Sequence, residues 1–305
     1  MAHSIRIGVD FGGTKLEVIA LAADGRELFR KRSPTPAGDY GGQIAATAAL
    51  VAELERAVGA GGTVGVGIPG AISPATGLIK NANSTWLNGR PLDRDLAHAL
   101  GRPVRLQNDA NCLAVSEATD GAAAGAEVVF AAILGTGVGA GIVVQGRPLT
   151  GRNAIAGEWG HNQLPWMRDD ERPGPACYCG LHGCIETILS GPGLARDHRA
   201  ATGRDITAQQ VAGLAQQGDV EAEATLRRYE DRLARGLAHV VNILDPDVIV
   251  LGGGLSGIAR LYETVPRLWR RHVFSDTVVT RLVPPRHCDS SGVRGAAWLW
   301  PEEAP

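Results

Sequence analysis

Between His161 and Glu186 the chain reads HNQLPWMRDDERPGPACYCGLHGCIE, with Cys177, Cys179 and Cys184 in a C-x-C-x4-C array. Thiolate sulfur and imidazole nitrogen are ligands that Zn2+ prefers. Four of them complete a tetrahedron with no open position, so His161 and the three cysteines would form a structural site and not a catalytic one. Gly180 and Gly183 allow the tight turns that bring three sulfurs to one ion. The plainer alternatives are core cysteines or a disulfide. A bridge across C-x-C is strained, and a total of five cysteines leaves one unpaired.

A second kind of chemistry resides in three glycine turns, each directly after an apolar run: Gly12-Gly13-Thr14-Lys15, Gly135-Thr136-Gly137 and Gly252-Gly253-Gly254. Glycine lets successive backbone N–H groups face one concavity and removes side chains that would block phosphate oxygens. None of the three has the Walker or the Rossmann spacing, and a single turn of this kind would be no more than a hairpin. Two on duplicated lobes can hold a triphosphate from both sides, while Gly253 and Gly254 cover the adenosine. The expected nucleotide is therefore ATP. Asp10, just before the first turn, would hold water on a phosphate-bridging Mg2+; its alternative is a turn-capping aspartate.

Asp109 follows Asn108 at the end of an apolar run and opens a helix. A hydroxyl attacking phosphorus needs a carboxylate to accept its proton, and Asp109 is the candidate base, with helix capping as the alternative. Asn83, Asn108, Glu158, His161 and Glu186 offer the mixed donors and acceptors that a polyol requires. With one ring nitrogen of His161 on zinc, the other is left to donate to a sugar hydroxyl. Loss of the metal is thus expected to harm sugar affinity before nucleotide affinity. Trp86, Trp159 and Trp166 read mainly as packing, with Trp86 beside Asn83 a possible pocket wall.

The elements that must position these groups follow from periodicity. Strands are expected at 5–10, 16–21, 27–32, 64–68, 104–107 and 248–251, with two more around a turn within 128–146. Helices are expected at 40–58, 92–100, 112–124, 208–217, 220–244 and 291–300. The run VVFAAILGTGVGAGIVV repeats the logic of IRIGVDFGGTKLEVIA: strand, glycine turn with a hydroxyl residue, strand. A repeat at about half the chain's length means two lobes and not a solenoid. The first would comprise 1–118 with 291–305, the second 119–290. Cys112 and Cys288 suggest only packing.

The 305 residues carry a net charge of −2 with 44% apolar and 20% charged residues, an ordinary globular composition without the basic footprint of a nucleic-acid or membrane binder. Of 30 lysines and arginines only three are lysines, which sets Lys15 apart in its glycine loop. An early first strand argues against a signal peptide, and reduced cysteines with metal spacing point to the cytoplasm.

Taken together, DFGGTK, GIPG, NDAN, GTGVGAG, GEWGH, CYCGLHGCIE and the late GGG resemble the ROK family of sugar kinases and repressors, in the family's order from Gly8 to Gly254. The resemblance implies an α/β, actin/hexokinase-like (ribonuclease H-like) fold of two lobes with ATP and sugar in a central cleft, and a homodimer. It implies Asp109 as catalytic base, His161, Cys177, Cys179 and Cys184 as zinc ligands, and Glu158, His161 and Glu186 as sugar contacts. The repressors' N-terminal winged helix has no room here, which favours the kinases. KNANSTWLNG, NDANCLAVSEA and NILDPDVIVLGGG resemble the fructokinase (mannofructokinase) branch. The expected reaction is phosphoryl transfer from ATP to the 6-hydroxyl of D-fructose, with mannose a poorer substrate. The alternatives are an N-acetylglucosamine or glucose kinase, a non-catalytic sugar sensor, or an actin- or chaperone-like ATPase.

Overall fold

The protein is described here by a computed structural model covering residues 5–287 and 290–301; Cys288 lies outside the described residues. In chain order, β1 (Ile5–Phe11), β2 (Lys15–Leu21) and β3 (Glu27–Pro34) precede α1 (Tyr40–Val58). Next come β4 (Gly62–Ile68), the short pair β5 (Ala71–Ile72) and β6 (Ile79–Lys80), α2 (Leu92–Leu100), β7 (Val104–Asn108) and α3 (Asp109–Thr119). The second half has β8 (Val128–Leu134), β9 (Val138–Val144), β10 (Arg147–Pro148), α4 (Ile185–Leu189), α5 (Gly191–Thr202), α6 (Ala208–Gln216) and α7 (Val220–Leu244). It closes with β11 (Val248–Gly252), α8 (Leu261–Trp269), β12 (Arg281–Val283) and α9 (Ser291–Ala297).

Two five-stranded sheets carry the same plan. The first has the order β3-β2-β1-β4-β7 and the second β10-β9-β8-β11-β12. In the first, β1 pairs antiparallel with β2 and parallel with β4, and β4 pairs parallel with β7. In the second, β8 pairs parallel with β11, and β11 parallel with β12. The repeat read in the sequence thus has a counterpart in strand order.

The chain divides into two compact units. One holds the described residues up to Gly125, Gly141–Ala156 and those from Arg286 onward; the other holds Ala126–Ala140 and Gly157–Pro285. In the first, β1, β2 and β4 are mostly buried, with Ile7, Val9, Val18, Ile19, Val64 and Val66 in the core. Helix α1 covers one face through Leu50, Val51 and Leu54. Helix α9 covers the other at very short range: a Cβ on Gly8 would overlap the Val293 carbonyl, and one on Gly65 the Ala296 carbonyl. Only glycine admits a helix that close. The second unit is centred on β8 and β11, with α7 buried through Leu226, Tyr229, Leu233 and Leu237.

Several expectations need correction. Helix α3 begins at Asp109 and ends at Thr119, not 112–124, because Asn108 caps it through its side chain; the alanines after Asp120 lie beyond the helix. Helix α9 ends at Ala297, short of Trp300. Helices α4, α5 and α8 and strand β12 had no sequence expectation; α5 opens on Gly-Pro-Gly, which hides it from a propensity reading. Among the described residues, no helix is long and apolar enough to cross a membrane.

Candidate active site

In the first unit, the end of β1 presents Asp10 and the turn to β2 presents Gly12, Gly13 and Thr14. The turn is pinned from behind: the Gly12 carbonyl accepts from the Thr35 hydroxyl at 2.8 Å and from Gln43 Nε2 at 3.1 Å. A Cβ on Gly13 would overlap the Ser84 hydroxyl, so a larger residue there would have to push that side chain aside. Lys15 leans on the buried Glu17, with Nζ 3.7 Å from Oε2, a carboxylate already engaged by Arg30 and Arg32. Its charge at the loop is therefore shared.

Asp10 is the electrostatically unusual group. Burial raises its carboxyl to about 6, the charge of Asp109 adds to the rise, and Lys15 opposes it. A carboxylate kept out of water beside a second carboxylate fits a cation bound through water. Asp109 lies exposed at the first turn of α3, with Oδ1 accepting from the Ala110 N–H at 2.8 Å. Asn108 is occupied locally: Oδ1 accepts from the Ala110 N–H at 2.9 Å and Nδ2 donates to the Gly70 carbonyl at 3.1 Å. Asn83 is exposed beside the buried Ser84, and Trp86 donates to Gln43 Oε1 at 3.1 Å.

In the second unit, GEWGH is shaped by its glycines. Cβ atoms on Gly157 and Gly160 would overlap the carbonyls of Ala140 and Val138, so the segment lies directly on β9. Trp159 is buried edge-on against Phe130 and donates to the Gly139 carbonyl at 3.0 Å, which fixes Glu158 and His161 on either side. The loop leading to the cysteines is tied to α7 by Glu171, which meets Arg235 at 2.7 Å and Arg232 at 2.8 Å. These guanidiniums hold its carboxyl down at about 2 against the opposing effect of burial.

His161, Cys177, Cys179 and Cys184 bring one donor atom each to within 4.8 Å of all the others. The Cys179 and Cys184 sulfurs are 3.6 Å apart, and the Cys177 sulfur is 3.6 Å from His161 Nδ1. A tetrahedral ion with Zn–S bonds of about 2.3 Å would put its sulfurs about 3.8 Å apart, so the donor set fits Zn2+. Gly180 holds the turn after Cys179 at φ 90°, a left-handed conformation that favours glycine. The other nitrogen of His161, Nε2, lies 3.0 Å from the Tyr178 hydroxyl.

Glu186 departs from expectation. Its Oε2 accepts the Val138 N–H at 3.0 Å and would be 2.7 Å from a Cβ on Gly137. The segment that carries the cysteines is thereby tied to the Gly135-Thr136-Gly137 turn. Removing the metal is accordingly expected to weaken nucleotide as well as sugar affinity. Cys184→Ser should lose the metal and about tenfold or more in both affinities, measured by elemental analysis and calorimetry. Loss of sugar affinity alone would refute the link through Glu186.

A cavity of about 400 Å3 in this unit is lined by Gly135, Thr136, Gly191, Pro192, Thr207 and Gln209, with Gly254 and Leu255 behind. Two of the three glycine turns thus share one pocket; Gly253, at φ 79°, lies so close to β8 that a Cβ there would overlap the Leu134 carbonyl. Sequence reasoning missed the walls from α5 and α6. The Thr207–Gln210 capping box at the start of α6 was a readable signal for one of them.

Paired sheets of like order, each with a glycine turn between its first two strands, define the actin/hexokinase-like class of α/β proteins. Within that class the chain belongs to the ROK family, which it matches over residues 6–303, and it is a sugar kinase of that family. An N-acetyl-D-glucosamine kinase of Escherichia coli is 41% identical over 297 residues, covering 96% of this chain and 98% of the relative. The ROK hexokinase from Thermus thermophilus is similar in structure with a TM-score of 0.84 at 33% identity, covering 97% of each chain. A ROK family glucokinase from Streptomyces griseus, solved with glucose and AMPPNP, has a TM-score of 0.77 at 28% identity, covering 97% of this chain and 99% of that one.

Proposed function

We propose that the protein transfers phosphate from ATP to the 6-hydroxyl of N-acetyl-D-glucosamine. The observation that carries this substrate is the identity to the N-acetyl-D-glucosamine kinase along nearly the whole of both chains. On that ground it is preferred here to the fructose expected from the sequence runs.

In this reading Asp109 takes the proton of the attacking hydroxyl as the new O–P bond forms and the bond to ADP breaks. Asn83, Asn108, Glu158, His161 and Glu186 are the proposed sugar contacts. Asn108 and Glu186 are oriented for this by the backbone hydrogen bonds they already make. Gly12, Gly13, Thr14 and Lys15, and separately Gly135, Thr136 and Gly137, bind phosphate oxygens; the pocket closed by Gly253 and Gly254 takes the adenosine. Asp10 would orient Mg2+ through water, and that cation neutralises phosphate charge. Zn2+ at His161, Cys177, Cys179 and Cys184 would fix the loop and supplies no reactive group. A homodimer is proposed from the family resemblance, and a cytoplasmic location from the early first strand and the reduced cysteines.

Coupled ADP release with N-acetylglucosamine, glucose, mannose and fructose in parallel tests the reading. The highest kcat/KM is expected for N-acetylglucosamine. A higher value for fructose would restore the branch expected from sequence. No ADP release with any sugar would favour a sensor.

A further inference from the structure

The Tyr178 hydroxyl stands 3.0 Å from His161 Nε2, the atom through which that ring would meet a sugar hydroxyl. The two rings meet edge to face, with centroids 5.2 Å apart. With Nδ1 turned to the cysteine sulfurs, and a metal bound there, Nε2 would carry the proton and donate to the phenol oxygen. One N–H serves one such acceptor at a time. The phenol oxygen therefore stands where a substrate hydroxyl would meet His161.

The remainder of Tyr178 is loosely held. The residue is 83% exposed, so its ring has little packing to lose on rotation. Its backbone is not loose: Cys177 and Cys179 on either side converge on one point, and the Cys177 N–H donates to the Leu181 carbonyl at 2.8 Å. The hydroxyl can leave His161 only by rotation of the side chain.

We infer that Tyr178 sets the sugar affinity of this enzyme: its hydroxyl occupies a substrate hydroxyl's place on His161, and a hexose binds by displacing it. The inference rests on the sugar-kinase reading above. It implies that every sugar using His161 binds more weakly by the strength of one hydrogen bond, with water as the replacement partner once the phenol is removed.

Calorimetric titration of the zinc-loaded full-length protein with N-acetylglucosamine, without nucleotide, tests it. Tyr178→Phe is expected to tighten sugar Kd roughly fivefold. KM should fall by a similar factor with kcat unchanged, while zinc content and Tm stay those of the parent. Tyr178→Ala should tighten binding in the same direction, since both changes delete the hydroxyl. Sugar Kd unchanged or weaker in Tyr178→Phe, with the parent protein binding normally, would overturn the role of Tyr178 alone. A parent protein that binds no hexose would sink the sugar-kinase reading and this inference with it.

Discussion

Asp109→Asn is expected to lower kcat about a thousandfold while leaving Tm and sugar Kd close to those of the parent, because a positioned general base contributes on the order of 10² to 10⁴ in rate. The amide keeps the shape and can accept a hydrogen bond from the sugar hydroxyl, but it cannot take the proton. Asp109 is exposed on the first turn of α3, and Asn108 supplies a cap of its own through Oδ1, so the helix start survives the change. A second effect separates this assignment from general damage. The charge of Asp109 is one of the causes that raise Asp10, so removing it should move the Asp10 titration to lower pH. Single-turnover rates and a pH titration of nucleotide binding read the two effects independently. Turnover within tenfold of the parent would reject Asp109 as the base.

The clustering of His161 with the three cysteines, the glycine turns and the place of Asp109 at a helix start were readable because they are encoded locally. Cys177, Cys179 and Cys184 are close through covalent spacing, and a glycine between two apolar runs can only turn. Most helices were equally readable: α1, α2 and α7 have the bounds expected, since each carries a clear apolar stripe. The rest depends on contacts between residues far apart in the chain. Glu186 reads as a free acid in the sequence, yet Val138, 48 residues away, already donates to it. Asn108 looks available until Gly70 is placed beside it. The cavity beside Gly135 draws its walls from α5 and α6, whose first residues are Gly, Pro, Ala and Gln and carry no charge that marks a site. Tyr178 between two cysteines gave no hint that its hydroxyl would reach His161, because that contact depends on where a loop folds back.

The Asp10 carboxyl offers the other large effect, and here stability and activity should move in opposite directions. Its value of about 6 in the folded protein stands above the ordinary 3.8. An acid raised in this way favours folding most when protonated, so its contribution is full below the unfolded value and is lost as pH rises through the folded one. Above that, ionised Asp10 costs the metal-free protein up to about 3 kcal/mol. Asp10→Asn removes the cost. Its Tm gain, measured without Mg2+, should be nearly full at pH 7, about half as large near pH 5, and close to zero near pH 3. The same change should cut kcat/KM for ATP on the order of a hundredfold, as loss of one preorganised electrostatic group does. The parent enzyme should lose nucleotide affinity on the acid side as this carboxyl protonates. A group that weakens the empty fold yet is required for turnover is held for its ligand. Destabilisation by Asp10→Asn at pH 7 would show instead that the carboxylate supports the turn it precedes, and the Mg2+ assignment would lose its main physical ground.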